Sequence, residues 1–318
     1  MNPSSPPAGP AGAPVAERAR TLAVCLLASG VLAAQSVAFT FDDGPSLAAS
    51  PRLSPVQRNQ ALLKALGAHK TKAALFVTLA NGADRPEGLA LARAWGEGGH
   101  VLGNHTVTHP DLNASGTTLR AYQQEIRDCD AALSGLPGYR KWFRFTFLRE
   151  GNTPEKRDGM RAFLKQDGWR NAAVSLDTSD WRMDAYLREV LGRDPQADLA
   201  PLRRIYLAHL RQRAESYRAL AIQLLGRELP QVLLLHHNLL NALFLEDVLR
   251  QFEALGWRII SPEEAYADPA YLLQPERPAP GQSLLLSLAR TRGVKVPDHD
   301  RLVDDGDFEI AALKAGAR

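Results

Sequence analysis

Short apolar runs alternate along this chain with longer segments in which apolar residues recur every three or four positions. Short apolar runs are typical of strands, whereas spacing of three and four is typical of amphipathic helices. The segment Gln231–His236 is apolar at the four successive positions 232–235, which indicates a strand buried on both faces. The predicted strands are Val37–Phe41, Ala73–Thr78, His100–Leu102, Trp142–Leu148, Ala172–Leu176, Gln231–His236 and Trp257–Ile260.

Helical segments separate these strands, and the alternation predicts parallel β/α units. The predicted helices are Asn59–Leu66, Glu87–Glu97, Thr117–Leu133, Pro154–Leu164 and Phe244–Leu255. Residues 184–225 are predicted to be an insertion of two helices, because apolar residues recur there at helical spacing. The insertion either adds a packing layer or lines a substrate groove.

The first 34 residues differ from the rest of the chain in composition. Residues 1–20 are rich in Pro, Ala, Gly and Ser, and Arg18 and Arg20 precede the apolar stretch Leu22–Ala34. This stretch is shorter than the roughly 20 residues that a membrane span needs, so with its basic flank it predicts a signal peptide cleaved near Gln35. The alternative is a buried first helix. The signal predicts export to the periplasm or secretion.

No stable membrane anchor is expected, because Val24 rather than a small residue precedes Cys25, against a lipidation site. Cys129 falls on the apolar stripe of the helix predicted at Thr117–Leu133. It is therefore expected to be a buried core residue rather than a nucleophile. After cleavage of the signal, Cys129 would be the only cysteine, so no intrachain disulfide is expected.

Residues 274–318 are predicted to be a C-terminal extension beyond a catalytic domain spanning residues 35–273. The extension starts Pro-rich and ends in the acidic stretch Asp304-Asp305-Gly306-Asp307, so we expect a loosely attached or disordered strap. The acidic stretch lacks the spaced bidentate Glu of a calcium loop.

The composition is 45% hydrophobic and 23% charged, as in ordinary soluble domains. The net charge of +3, without a block of Lys and Arg, argues against nucleic acid as a partner. The oligomeric state is not predicted by the sequence.

Two motifs suggest a metal site. Asp42 and Asp43 end the first predicted strand just before Gly44-Pro45, where a tight turn can bring both carboxylates to one mouth. Each motif alone is weak, because Asp-Asp-Gly-Pro is more often a plain turn and paired histidines are often a surface pair. His105 and His109 lie four residues apart, and together with one Asp they would make a metal site with open positions.

Further motifs follow at the ends of predicted strands: Arg144-Phe145-Thr146-Phe147, Asp177-Thr178-Ser179-Asp180-Trp181 and Val232-Leu233-Leu234-Leu235-His236. The ordered set resembles the polysaccharide deacetylases, also called the NodB homology domain or carbohydrate esterase family 4. The resemblance runs from about Val37 to Tyr271. It departs from the family in the third motif, where Thr146 stands at a position usually held by Pro.

The resemblance implies an irregular (β/α)7 barrel with its active site at the carboxyl ends of the strands. It implies that Asp43, His105 and His109 hold a divalent ion, with zinc expected, which polarises a carbonyl and activates water. Asp42 would then be the general base and His236 the general acid.

The resemblance also implies supporting residues. Arg144 would orient Asp42, and Asp180 would raise the pKa of His236. The Phe147 backbone N–H would complete an oxyanion hole, while Trp181 and Leu234 would form the pocket for the acetyl methyl group. The polar pair His237-Asn238 is expected to lie at an open mouth.

The resulting prediction is a metal-dependent hydrolase that removes N-acetyl groups from amino sugars of a polysaccharide or oligosaccharide. Hydrolysis of O-acetyl esters on a glycan and non-catalytic sugar binding are the alternatives. The acetylated glycan itself, whether peptidoglycan, a chitin-like oligomer or an exopolysaccharide, is not specified by the sequence.

Overall fold

Seven parallel strands separated by helices form the centre of the described chain, in a computed structural model that describes Met1, Gly9, residues 35–278 and residues 280–316. The strands are β1 (Ser36–Gly44), β2 (Ala74–Val77), β3 (Val101–Asn104), β4 (Tyr139–Phe143), β5 (Arg170–Asn171), β6 (Gln231–His236) and β7 (Arg258–Ile259). Most positions of β1, β2, β3 and β6 are buried, as expected for strands covered on both faces.

The strands run in the order β5-β4-β3-β2-β1-β6, and all pairs are parallel. The chain after β5 reaches the other edge, because Leu176 forms a parallel bridge with Leu233 of β6. β7 pairs only with Ser36 and Val37 at the start of β1. The sheet therefore curls into an irregular parallel barrel, which confirms the predicted α/β fold.

Helices cover this sheet, and several begin at a side-chain cap or at a proline in the first turn. They are α1 (Pro55–Ala68), α2 (Pro86–Glu97), α3 (Leu119–Leu133), α4 (Pro154–Gln166), α5 (Asp180–Arg193), α6 (Ala200–Leu225), α7 (Leu239–Ala254), α8 (Pro262–Tyr266), α9 (Leu284–Arg292), α10 (His299–Leu302) and α11 (Asp307–Gly316). Cys129 is buried on α3, as its position on the apolar stripe predicted. The two helices predicted within residues 184–225 are present, although α5 begins four residues earlier than expected.

The predicted bounds of two strands were wrong. β4 ends at Phe143, because Arg144 turns its guanidinium inward and residues 146–148 form a 3₁₀ turn. β5 is only two residues long, and the apolar run Ala172–Leu176 makes a single bridge instead of a ladder. The polar contacts of Arg144 thus override the apolar pattern at the end of β4.

The expectation of a loose C-terminal strap was also wrong. α9, α10 and α11 insert Leu284, Leu285, Leu302, Ile310 and Leu313 into the main hydrophobic cluster. Burial of each such side chain contributes about 1.5–3 kcal/mol. The extension is therefore an integral layer of the fold.

The predicted signal peptide lies outside the described residues. Among the residues that are described, no helix has both the length and the apolar character needed to span a bilayer.

Candidate active site

A cavity of about 450 Å³ opens at the carboxyl ends of the strands. Its lining includes residues from all five motifs, among them Asp42, His105, Phe147, Asp177 and His236. Parallel strands present their carboxyl ends at one edge, so motifs far apart in sequence meet there. The cavity therefore lies where the active site was expected, and predicted site residues line it.

Asp43, His105 and His109 form one cluster in this cavity, with candidate ligand atoms all within 4.8 Å of one another. Nε2 of His109 lies 3.2 Å from Oδ1 of Asp43, and Nε2 of His105 lies 3.7 Å from the same oxygen. Nδ1–H of His105 donates to the Arg144 carbonyl at 2.9 Å, which fixes the tautomer that leaves Nε2 as the ligand. Burial lowers the pKa of His105 to about 3, so the ring is neutral, as metal binding requires.

Backbone strain accompanies this cluster. Asp43, Thr106 and His109 adopt positive φ angles of 63°, 74° and 57°, which are uncommon for residues other than glycine. Hydrogen bonds hold the loop in this form, since Asn104 Oδ1 accepts from the Thr106 N–H and Thr106 Oγ1 accepts from the His109 N–H. Strain of this kind costs about 1–3 kcal/mol and typically persists at functional sites.

Asp42 lies beside the cluster and is held by Arg144. Nη1 of Arg144 donates to Oδ1 of Asp42 at 2.7 Å and to Oγ1 of Thr40 at 2.8 Å. The Asp42 Oδ2 atom remains directed toward His105, 3.6 Å from Nε2. Burial raises the pKa of Asp42 despite the opposing charge of Arg144.

Arg144 itself is buried and receives support that the sequence did not reveal. Nη2 of Arg144 donates to the Tyr266 hydroxyl at 3.0 Å, and Nε donates to the Ala172 carbonyl at 3.0 Å. The guanidinium also lies 3.9 Å from the centre of the Phe76 ring. Tyr266 belongs to no motif, and a tyrosine on a short helix gave no signal for this role.

His236 ends β6 and is paired with Asp180 at the start of α5. Nδ1–H of His236 donates to Oδ1 of Asp180 at 2.7 Å, while Oδ2 accepts from the backbone N–H of His236 and from the side-chain amides of Asn238 and Asn241. Burial lowers the pKa of His236, but the charge and hydrogen bond of Asp180 outweigh this and raise it to about 10.

The pair His237-Asn238 does not lie at an open mouth, so that expectation was wrong. Both side chains are buried; His237 Nε2 is hydrogen-bonded to Asn59, and Asn238 caps α7. The polar residues satisfy a strand end and a helix start instead of facing solvent.

The third motif tolerates Thr146 through local hydrogen bonds. The Thr146 N–H, which a proline would lack, donates to the Tyr122 hydroxyl at 3.2 Å, and Thr146 Oγ1 bonds to Tyr122 and to the Pro110 carbonyl. Phe147 has a positive φ of 55° and packs its half-exposed ring against His109, with ring centres 4.4 Å apart.

Trp181 and Leu234 line the same cavity as His236. Trp181 is half-exposed and Leu234 is buried, and both contribute apolar surface to the cavity. The structure thus brings every predicted site residue to the cavity or into direct contact with a residue that lines it.

Several residues that line the cavity were not predicted. Asp177 belongs to the fourth motif, but no role was predicted for it. Burial raises the pKa of Asp177 to about 7. Arg213 comes from the inserted helix α6, and Gln282, Asp304 and Asp305 come from the C-terminal extension. No short motif marks them, because long-range packing alone places them here.

Comparisons with known proteins give matches both in sequence and in structure. Residues 30–162 match a family model described as polysaccharide deacetylase. A chitooligosaccharide deacetylase of Sinorhizobium fredii is 36% identical over 100 residues, which are 31% of this chain and 40% of that protein. A peptidoglycan-N-acetylglucosamine deacetylase of Bacillus cereus is 30% identical over 170 residues, which are 52% of this chain and 54% of that protein.

The chain thus spans about half or less of the length of these curated relatives. Among solved structures, a family 4 carbohydrate esterase from Streptomyces lividans in complex with acetate has a TM-score of 0.47 and 22% identity, over 73% of this chain and 95% of that one. The match over residues 30–162 confirms the resemblance to the polysaccharide deacetylases that was inferred from the motifs.

Proposed function

We propose that this protein is a metal-dependent deacetylase that hydrolyses N-acetyl groups on amino sugars of a glycan. The main support for this proposal is that three kinds of group lie together in one cavity. They are a candidate metal cluster, the buried carboxylate of Asp42, and His236 paired with Asp180. The relatives named as chitooligosaccharide and peptidoglycan deacetylases support this substrate class.

Asp43, His105 and His109 would hold the ion, because one carboxylate and two imidazoles suit zinc and other divalent transition metals. When bound, such an ion supplies a Lewis acid that polarises the acetyl carbonyl and makes water more acidic. The fixed Nδ1–H of His105 supports the fit, since it presents Nε2 to the cluster without rearrangement.

The chain's own groups would move the protons. Asp42 would take a proton from water at Oδ2, because Oδ1 is engaged by Arg144. His236 would donate a proton from Nε2 to the departing amine, because Nδ1 is engaged by Asp180. Trp181 and Leu234 would receive the acetyl methyl group and exclude water from that side.

Acetate release should test the activity directly. We expect acetate from N-acetylated chitooligosaccharides, loss of activity with chelator, and recovery with zinc. Preference for acetylated xylan would favour ester hydrolysis instead. Binding without acetate from either glycan, in protein loaded with metal, would favour the non-catalytic alternative.

Two variants should distinguish the role of Asp42 as general base from that of His236 as general acid. Asp42→Asn should cripple every substrate, because the attacking water is common to all. His236→Ala should reduce turnover of an N-acetyl sugar by roughly 10²–10⁴-fold but spare an activated aryl acetate, whose leaving group needs no proton. His69→Ala, a histidine paired with Glu253 and outside the cavity, serves as the control. Equal losses on both substrates for His236→Ala would contradict the acid role.

Export would bring the enzyme to such glycans. The apolar stretch with a basic flank in the first 34 residues supports removal of a signal peptide. The N-terminal mass of protein from the native host should correspond to a start near Gln35, and an intact N-terminus in the cytoplasmic fraction would contradict export.

A further inference from the structure

Two loops meet beside the candidate metal cluster, and both have strained backbones. The loop of residues 105–118 carries the candidate ligand His109, and the loop of residues 144–153 carries Phe147. His109 and Phe147 have positive φ angles of 57° and 55°, and Leu148 follows with 50°. Residues other than glycine keep such angles only where surrounding contacts hold them. The contacts between these two loops therefore bear on the geometry of the site.

Thr146 joins the two loops through hydrogen bonds whose directions are fixed. Its hydroxyl donates to the carbonyl of Pro110, the residue after His109. A hydroxyl has one hydrogen, so the 2.8 Å bond between Thr146 Oγ1 and the Tyr122 hydroxyl is donated by Tyr122. The Tyr122 oxygen in turn accepts from the Thr146 N–H at 3.2 Å. Thr146, Tyr122 and Pro110 thus form one hydrogen-bonded unit, the Thr146 link.

Helix α3 supports both loops from behind. Tyr122 and Glu125 lie three residues apart on α3 and therefore on one face of the helix. Oε2 of Glu125 accepts from the backbone N–H groups of Val107 and Thr108 at 2.9 and 2.7 Å, while Tyr122 holds the other loop. The Tyr122 ring packs in an apolar cluster with residues of β4 and α4. Each loop is therefore positioned against the same fixed helix.

Other contacts between the loops lie nearer to solvent. Arg149 forms an ion pair with Asp111, and Asn152 Nδ2 donates to the Asn113 carbonyl at 3.0 Å. Their side chains are partly exposed, and exposed ion pairs contribute little. In contrast, the side chain of Thr146 is fully buried. A proline at this position would have neither the N–H nor the hydroxyl, so the link depends on the departure in the third motif.

We propose that Thr146 is a positioning residue that fixes His109 and the backbone N–H of Phe147 relative to each other. The inference rests on the proposed function, in which His109 would hold the ion and the Phe147 N–H would complete the oxyanion hole. The rings of His109 and Phe147 pack together with centres 4.4 Å apart, so movement of one loop displaces the other group. Thr146 does not line the cavity and acts only through these two neighbours.

Removal of the Thr146 hydroxyl tests this role. Thr146→Val keeps the size and the N–H of the residue, and kcat on an N-acetylated chitooligosaccharide should fall about 10–100-fold, as is typical for partners of metal ligands. KM should change little, because Thr146 does not line the cavity. Thr146→Ser retains the hydroxyl and should restore most of kcat. Thr71→Val removes a buried hydroxyl that donates to the His69 carbonyl outside the cavity lining, and should change neither value.

A double-mutant cycle tests whether the link acts as one unit. Tyr122→Phe removes the hydroxyl that both donates to Thr146 and accepts from it, so the loss of kcat should resemble that of Thr146→Val. The double variant should lose little more than either single variant, because the bonds are shared. Losses that multiply in the double variant would overturn the inference, since the two side chains would then act independently.

Zinc binding tests the inference without the reaction. In calorimetric titration with zinc alone, the Kd should rise on the order of tenfold in Thr146→Val and return toward the wild-type value in Thr146→Ser. Unchanged zinc affinity in Thr146→Val would overturn the positioning role, whether or not the wild type releases acetate. If the wild type releases no acetate but the zinc affinities follow this order, the proposed reaction fails and the positioning of His109 by Thr146 stands.

Discussion

The pKa values of two aspartates at the site are shifted in opposite directions, although both side chains are buried. Burial raises the pKa of Asp42, and Arg144 only partly offsets it. Burial also acts to raise the pKa of Asp180, but His236 and the amide donors outweigh it and hold that pKa low. A buried carboxylate of raised pKa suits a proton acceptor, whereas a fixed anion suits the partner of an imidazolium.

The pair His236–Asp180 should control the alkaline limb of the pH profile. The pKa of His236 is raised to about 10, so its proton is present at neutral pH and is lost as the pH rises through that value. In Asp180→Asn the burial remains and the compensating charge disappears, so the limb should move to markedly lower pH. The pH dependence of kcat on an N-acetyl oligosaccharide measures the shift.

Asp184→Asn is the matched control, because this carboxylate on α5 accepts from Leu240 and Arg188 and does not touch His236. An unchanged alkaline limb in Asp180→Asn would contradict the role of Asp180. The same linkage applies to stability: the raised pKa stabilises the fold fully below the ordinary value of about 6.5 and loses that contribution as the pH approaches 10.

Residues within one strand and its following turn were predictable from the sequence. Asp43 ends one predicted strand, and His105 and His109 follow another. The sequence next to these strands was therefore enough to predict the candidate metal cluster. Tyr266 and Arg213 were not predictable, because their roles depend on side chains brought from more than 30 residues away in sequence. Long-range packing does not leave a local pattern in one sequence.

At the scale of elements, the C-terminal segment and the inserted helix α6 meet at the fourth motif. Buried Arg213 on α6 donates to the carbonyls of Leu302 and Asp304 at 2.5 and 2.6 Å, and Ser179 Oγ donates to the Asp304 carbonyl at 3.0 Å. His209 also links the two, since Nε2 accepts from the Ser179 N–H and Nδ1–H donates to Glu309. The residue next to Ser179 is Asp180, so this junction supports the pairing of His236.

The sequence predicted the inserted helices but not this junction. The periodic apolar pattern of residues 200–225 indicated a helix, whereas the Pro-rich start and acidic end of the C-terminal extension indicated a loosely attached or disordered strap. Polar residues that bond to backbone carbonyls carry no periodic signal, which is why the tail was expected to be loose.

Arg213→Met should destabilise the fold, because it leaves two carbonyls without their charged donor. The free energy of unfolding should fall by roughly 2–5 kcal/mol, the cost of a few unsatisfied buried groups. Denaturant titration at constant metal concentration measures it. Arg292→Met removes a similar bond, to the Leu224 carbonyl, from an exposed side chain and should cost well under half as much. Similar losses in the two variants would contradict the structural importance of the junction.

At the scale of the whole molecule, the barrel brings the metal cluster together, so metal binding should stabilise the fold. A ligand at 100 times its Kd adds about 2.7 kcal/mol, and for a chain of this size that corresponds to roughly 5–10 °C in Tm. Zinc should produce this rise in the wild-type protein and chelator should reverse it. Calorimetry or thermal fluorescence measures the change.

His105→Ala should fold but show no such rise, because the buried imidazole with the fixed tautomer is lost. His69→Ala should respond to zinc as the wild type does. Full zinc stoichiometry in purified His105→Ala would show that the ligands are assigned wrongly.

Because α9–α11 pack into the core, the order in which the chain is synthesised determines when the cavity lining is complete. The candidate metal ligands lie between residues 43 and 109 and are synthesised before residues 280–282 and 303–305, which line the cavity. At roughly 5–20 residues per second, several seconds separate the barrel strands from the completed wall. A nascent chain that has not yet reached these residues would therefore hold the candidate metal ligands while lacking one wall of the cavity.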